Sequence, residues 1–186
     1  MGKERDLQRI ATEIAACRIC RKGCTGKPVP GEGSPGARVV FVGEAPGKEE
    51  AKTGRPFVGR SGKLLRQMIR DISLNEQDVF ITSPVHYLPL RGTPTKDMVL
   101  HGREYLFRQL TVIKPEVIVL LGATASLAVL DRKAEVAKEH GAVVEQDGWS
   151  CFITVHPAYA VRFQKGREFL ASDFQKLKRL VRTKAT

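Results

Sequence analysis

Arg38-Val39-Val40-Phe41-Val42-Gly43-Glu44-Ala45-Pro46-Gly47 decides how this chain reads. The run Arg38 to Gly43 is short, apolar at successive positions and closed by glycine. That is the pattern of a strand buried on both faces of a parallel sheet. The turn after it exposes backbone N–H groups and sets Glu44 at the sheet edge, where a carboxylate can position or activate a water. A helix cap or a solvated acidic stretch, with Glu49 and Glu50 close behind, is the bland reading of the same residues. The turn is no Walker phosphate loop, since no Gly-Lys-Ser/Thr follows, and it lacks the G-x-G-x-x-G of a dinucleotide site.

Further strands follow outward from this one. Val79-Phe80-Ile81-Thr82, Val117 to Gly122 and Cys151 to Val155 have the same buried character. Between them the apolar spacing predicts helices over 59–72, 95–113 and 123–130, with Pro115 ending the second. A helix over 4–17 precedes the first strand, and a basic amphipathic helix over about 168–182 closes the chain. Residues 18–37, 44–58 and 84–94 read as loops, and 131–148 as mixed, with a β-hairpin near Gly141 or Gly148. Strands alternating with helices imply an α/β fold with both sheet faces covered, in one domain spanning 1–186. Sites in such sheets lie at the carboxyl ends of the strands. Three unusual segments follow strands: Glu44 to Phe57, Ser83 to Pro94, and His156 to Arg162.

Charge narrows the partners. Thirty-one Lys and Arg against 20 Asp and Glu give +11, with an isoelectric point near 9.8. A basic chain favours a polyanion, because neutralised phosphates release counterions. No apolar run approaches the roughly 20 residues of a membrane span. The charged start carries no secretion signal, and Asp6 departs from a myristoylation motif. The expected location is the cytoplasm and the expected state a monomer.

Phe57, framed by Gly54, Pro56 and Gly59, stands on a rigid loop where a base can stack, or simply anchors that loop. His156, fixed by Pro157 at a strand's end, can donate to an oxyanion; alone, such a histidine is more often structural. Cys17, Cys20 and Cys24 crowd into C-x2-C-x3-C, which outside a disulfide-rich scaffold reads as metal or cluster ligation. Cys151, inside a core strand, reads as a small buried hydrophobe.

Gly43 to Gly47, Thr53-Gly54-Arg55-Pro56-Phe57-Val58-Gly59 and His156-Pro157-Ala158-Tyr159, in this order, resemble family 4 uracil-DNA glycosylases. The resemblance runs over roughly residues 10–182 and takes in Pro30 to Gly33, Leu106 to Pro115 and Leu121 to Ala123. It implies a three-layer α/β/α sandwich with a central four-stranded parallel sheet. It implies excision of uracil, or a related deaminated base, from DNA by hydrolysis after base flipping. Catalysis would fall to Glu44, Glu50 and His156, and base binding to Gly43, Ala45, Phe57 and Ser83. Arg55, Tyr159, Val161, Arg162, Lys165 and Arg167 would meet DNA, with the 157–162 loop pressed into the minor groove and Ala160-Val161 filling the gap. No lysine stands as a nucleophile in these motifs, so no strand cleavage is expected.

The chain departs from the family pattern in two places. Ser83 stands where the family reads the uracil edge with Asn, and the Asn-Arg of the next loop is missing from Pro89 to Pro94. Ser83 makes fewer simultaneous contacts than Asn, which opens hypoxanthine and xanthine as substrates. It also opens a different class, a DNA-binding protein without catalysis. The family's [4Fe-4S] cluster uses four cysteines. Cys17 and Cys20 match the first pair, but the third falls at Tyr87 and the fourth at His101 or Gly102. Either a rearranged cluster uses Cys17, Cys20 and Cys24 with His101 or His86, or the cysteines hold zinc or nothing.

Overall fold

The computed structural model describes residues 2–75 and 78–184. In chain order the helices are α1 (Gly2–Ala16), α2 (Arg18–Arg21), α3 (Lys48–Thr53), α4 (Arg60–Asp71), α5 (Lys96–Ile113), α6 (Ala123–Leu130), α7 (Val136–Glu139), α8 (Pro157–Arg162) and α9 (Gln164–Lys184). The strands are β1 (Cys24–Thr25), β2 (Glu32–Gly33), β3 (Val39–Val42), β4 (Val79–Thr82), β5 (Leu88–Pro89), β6 (Val117–Leu121), β7 (Val143–Gln146) and β8 (Trp149–Thr154).

The main sheet runs β2-β4-β3-β6-β8-β7. Its middle, β4-β3-β6-β8, is the expected set of four parallel strands. Two short antiparallel edges, β2 and β7, are added to it. Period-two alternation divides the strand side chains between two cores. Val40, Val42, Ile118, Leu120 and Ile153 face α5 and α6. Val39, Phe41, Val119, Leu121 and Phe152 face α4 and α9. With apolar groups on both faces, each central strand must be covered twice, and the three-layer α/β/α sandwich follows.

Local signals set several boundaries. The Thr95 side chain caps α5 by accepting from the Met98 N–H at 3.2 Å, and left-handed Lys114 closes it just before Pro115. The hairpin falls at Gly148 and not at Gly141. Asp147 and Gly148, both at positive φ, form the two-residue turn between Gln146 and Trp149. Three expected loops contain helices. Residues 18–37 include α2, residues 44–58 include α3, and the segment after β8 is α8, started by Pro157 at its first position. The last helix begins at Gln164, four residues before the expected start at 168.

At the carboxyl rim the strands end in register, with Val42 beside Thr82 and Leu120, and Leu121 beside Thr154. Gly43 N–H donates to the Thr82 carbonyl at 2.8 Å, and Gly122 N–H to that of Thr154 at 2.9 Å. The segments after β3, β4, β6 and β8 are therefore delivered to one edge.

Phe174 of α9 stacks on Phe41 with ring centroids 6.1 Å apart, and both are buried. Phe174→Ala is expected to lower the unfolding free energy by about 3–5 kcal/mol. A denaturant midpoint left within experimental error of the parent's would disprove this packing role.

Candidate functional site

The site is built on Glu50. Its Oε1 accepts from the backbone N–H of Val58 and of Gly59, each at 2.8 Å. The residue is buried, so these charge-assisted bonds offset the desolvation of its carboxylate. They tie α3, which follows the Glu44 turn, to the loop that carries Phe57. Glu50 is thus a positioning group: the carboxylate grips backbone.

Phe57 adopts left-handed φ, 51°, an unfavourable conformation for a bulky residue that persists only where the surroundings enforce it. Arg66 of α4 enforces it by donating to the Phe57 carbonyl at 3.1 Å and to the Pro56 carbonyl at 2.9 Å. Gly62 lets α4 come close enough, because a Cβ there would lie 2.1 Å from the Phe57 carbonyl carbon. The ring in turn lies on Gly43, where a Cβ would stand 2.7 Å from it. Aromatic shelf and acid-bearing turn are in direct contact.

His156 caps α8. The Ala158 N–H donates to its Nδ1 at 3.1 Å. A ring nitrogen that accepts carries no proton, so in neutral His156 the proton sits on Nε2, leaving a donor there. Burial pushes the imidazole below its ordinary range, and the Glu44 carboxylate pushes back only in part. The His156 and Phe57 rings lie 5.9 Å apart, tilted by 33°. Glu44, Phe57 and His156 are therefore gathered at one place.

Glu44 is held by a residue that sequence reasoning missed. Thr124, near the start of α6, donates its hydroxyl to Glu44 Oε2 at 2.6 Å. The available signal was its place just after the glycine that ends β6, at the same rim. Ala45 packs against the core on the α5 and α6 side. Ser83 is buried and donates its hydroxyl to the Val85 carbonyl at 2.8 Å. With that proton committed, it offers a base only an acceptor.

The expected DNA-facing residues divide. Arg162, Lys165 and Arg167 are exposed around α8 and the start of α9. Arg167 also donates to the Ala160 carbonyl at 3.1 Å, and Lys165 lies 5.4 Å above the Phe169 ring. Arg55 is exposed as well but is paired with Glu32, with bonds of 2.7 and 2.9 Å, and Glu32 also accepts from Arg66 at 2.7 Å. Ala160 is fully buried and Val161 half-buried, so of this pair only Val161 is open to solvent. The protruding apolar groups are Phe163, 54 % exposed, and Tyr159, 38 % exposed, with rings 5.0 Å apart.

A second cluster lies away from the rim. Cys17, Cys20 and His101 bring their ligating atoms within 4.8 Å of one another. Cys24 stands outside that group, on β1, where it pairs with Pro89 of β5. Burial raises the Cys17 thiol, but hydrogen bonds from the Cys20 backbone, Tyr105 and His101 outweigh it and bring it down to about 6. Burial pushes Cys20 up to about 12, with Cys17 contributing. Tyr87, at the family's third ligand position, is buried and donates its hydroxyl to the Ala15 carbonyl at 3.1 Å. These residues do not fit a four-cysteine cluster, although Cys17, Cys20 and His101 can hold a metal.

The model of the uracil DNA glycosylase superfamily matches residues 30–178. The chain is 37 % identical to a type-4 uracil-DNA glycosylase of Sulfurisphaera tokodaii, over 95 % of this chain and 86 % of that protein. It is 38 % identical to one of Thermotoga maritima, over 91 % and 94 %, and 38 % identical to one of Archaeoglobus fulgidus, over 92 % and 91 %. A sheet rim that presents Glu44, Phe57 and His156 together, in a chain this similar to those proteins along nearly its whole length, belongs to the uracil-DNA glycosylase superfamily, on its type-4 branch.

Proposed function

We propose that this chain binds DNA, draws a deaminated base, uracil first, into the rim pocket, and hydrolyses its bond to the sugar. The observation that carries this reading is His156, whose Nδ1 accepts from the Ala158 N–H, which leaves Nε2 as the donor, and whose ring lies 5.9 Å from Phe57. A base stacked on Phe57 leaves as an anion, and a preorganised N–H donor favours that charge as it develops. Glu44, fixed by Thr124, supplies the opposite charge. It orients the attacking water and stabilises the cationic sugar. Glu50, Arg66 and Gly62 keep the shelf in place.

Tyr159 and Phe163 form the wedge that fills the gap left by the flipped nucleotide, with Arg162, Lys165 and Arg167 on flanking phosphates. Hypoxanthine or xanthine as the preferred base is the second reading. Ser83 favours it, since its committed hydroxyl presents a base edge with one acceptor and no donor. The Cys17, Cys20 and His101 group clamps α2 to α5 in either case, whether it holds a cluster, as the family likeness implies, or a single ion.

Oligonucleotides carrying uracil, hypoxanthine or xanthine, treated with alkali after incubation, test the reading directly. Strand breaks at uracil are expected with the parent chain. His156→Ala is expected to slow release roughly 10²–10³-fold. No breaks at any of the three bases would defeat the proposal. Because burial holds His156 below the ordinary imidazole value of about 6.5, its neutral form persists as pH falls through that value. The single-turnover rate should therefore show no loss assignable to His156 between about pH 8 and 6.5. Its acid limb should lie lower, and should vanish in His156→Ala; a limb at or above the ordinary value contradicts the neutral-donor role.

Phe163→Ala is expected to weaken binding to a uracil-containing duplex by about 1–3 kcal/mol, the scale of one base–aromatic stack. The salt dependence should stay unchanged, as no charge is lost. Fluorescence anisotropy decides: a larger loss from Val161→Ala than from Phe163→Ala returns the wedge to Val161.

A further inference from the structure

Cys17 Sγ and His101 Nε2 lie 3.3 Å apart, and Cys20 completes a set of three donors within 4.8 Å. Metal–sulfur bonds of about 2.3 Å and metal–nitrogen bonds of about 2.0–2.1 Å at a tetrahedral centre put sulfur and nitrogen roughly 3.5 Å apart. Ligands of a four-iron cube each bind a different iron and stand apart across it. Donors this close match one ion.

The surroundings agree. Cys17 begins α2, and the Cys20 N–H approaches its sulfur at 3.4 Å, the arrangement in which a C-x-x-C turn supports a thiolate. The His101 ring is braced edge-on by Tyr105, with centroids 6.0 Å apart. Tyr87 takes up the place of a third family thiolate and spends its hydroxyl on α1 carbonyls. At Gly23, with φ of 70°, the chain turns and carries Cys24 into β1.

Cys20 and His101 also line a cavity of about 600 Å³. Buried His86 borders it, and its ring nitrogens have no hydrogen-bond partner among the described residues. Three protein ligands beside such a space are the pattern of a site that keeps its fourth position open.

We propose that Cys17, Cys20 and His101 form a mononuclear site for a zinc-class ion, two thiolates and one imidazole, with the fourth position facing this cavity. It takes the place of the four-cysteine cluster implied by the family likeness. It stands or falls independently of base excision.

The test uses the full chain, purified without air. Metal analysis is expected to give one zinc per chain and no acid-labile sulfide. Cobalt(II) in its place should show thiolate charge transfer and tetrahedral d–d absorption. Cys17→Ser and His101→Ala should weaken zinc binding by more than the roughly 100-fold that follows loss of an outer-shell partner. Cys24→Ser and Cys151→Ser should leave it unchanged. Iron with matching labile sulfide overturns the proposal, and so does zinc binding that is lost in Cys24→Ser. A chain folded by circular dichroism that takes up neither zinc nor cobalt overturns it as well. If Cys17→Ser does not fold, metal content and the cobalt spectrum of the unaltered protein still decide.

Discussion

The carboxylate of Glu50, closed on the N–H groups of Val58 and Gly59, sets where everything at the rim stands. Hydrogen bonds to a charged group contribute roughly 1.5–3 kcal/mol each, and leaving such donors unpaired in a buried place costs about as much. Glu50 therefore cannot release the loop without a large penalty. The loop in turn cannot relax Phe57 from its left-handed backbone while Arg66 holds the Pro56 and Phe57 carbonyls. Strain at Phe57 is supported by bonds made one and two residues away. This is how a rigid stacking surface comes from a segment rich in glycine and proline.

A similar economy governs the polar groups. Each rim side chain is fixed by one partner that leaves its functional atom free. Thr124 takes Oε2 of Glu44, and the Ala158 N–H takes Nδ1 of His156. Burial favours neutral imidazole, and the nearby Glu44 carboxylate opposes it only in part, so His156 stands as a donor without charge. Electrostatic preorganisation of this kind acts without reorganisation at the moment of reaction.

The strands were legible because Val39–Val42, Val79–Thr82 and Val117–Leu121 are apolar on both faces, a pattern that only a doubly covered sheet satisfies. Glu44, Phe57 and His156 could be named because each follows such a strand or carries a framing glycine or proline. Helices α3 and α8 escaped notice since six residues between turn formers show no apolar stripe. Thr124 and Arg66 act across 80 and 9 residues of sequence, contacts that no local pattern encodes. The C-x2-C-x3-C spacing does not say where Cys24 lies, because spacing is blind to the turn at Gly23 that carries it into β1. Phe163 went unnamed because exposure belongs to helix orientation, which fixes Ala160 inward and leaves Phe163 outward.

The junction of α1 with the rest is fastened by the chain's own side chains. Ile10, Ile14 and Tyr87 form their own small core there, with Tyr105 and Leu7 packed against it. Arg108 of α5 grips Glu13 through both of its terminal nitrogens. The Tyr87 hydroxyl accounts for carbonyls at the end of α1 that have no partner within the helix. Apolar burial, one bidentate ion pair and one phenol thus fasten α1 without any metal bond. A single ion at Cys17, Cys20 and His101, as proposed, would have only α2 to secure against α5. That smaller task suits three donors, two of them four residues from end to end on one short turn.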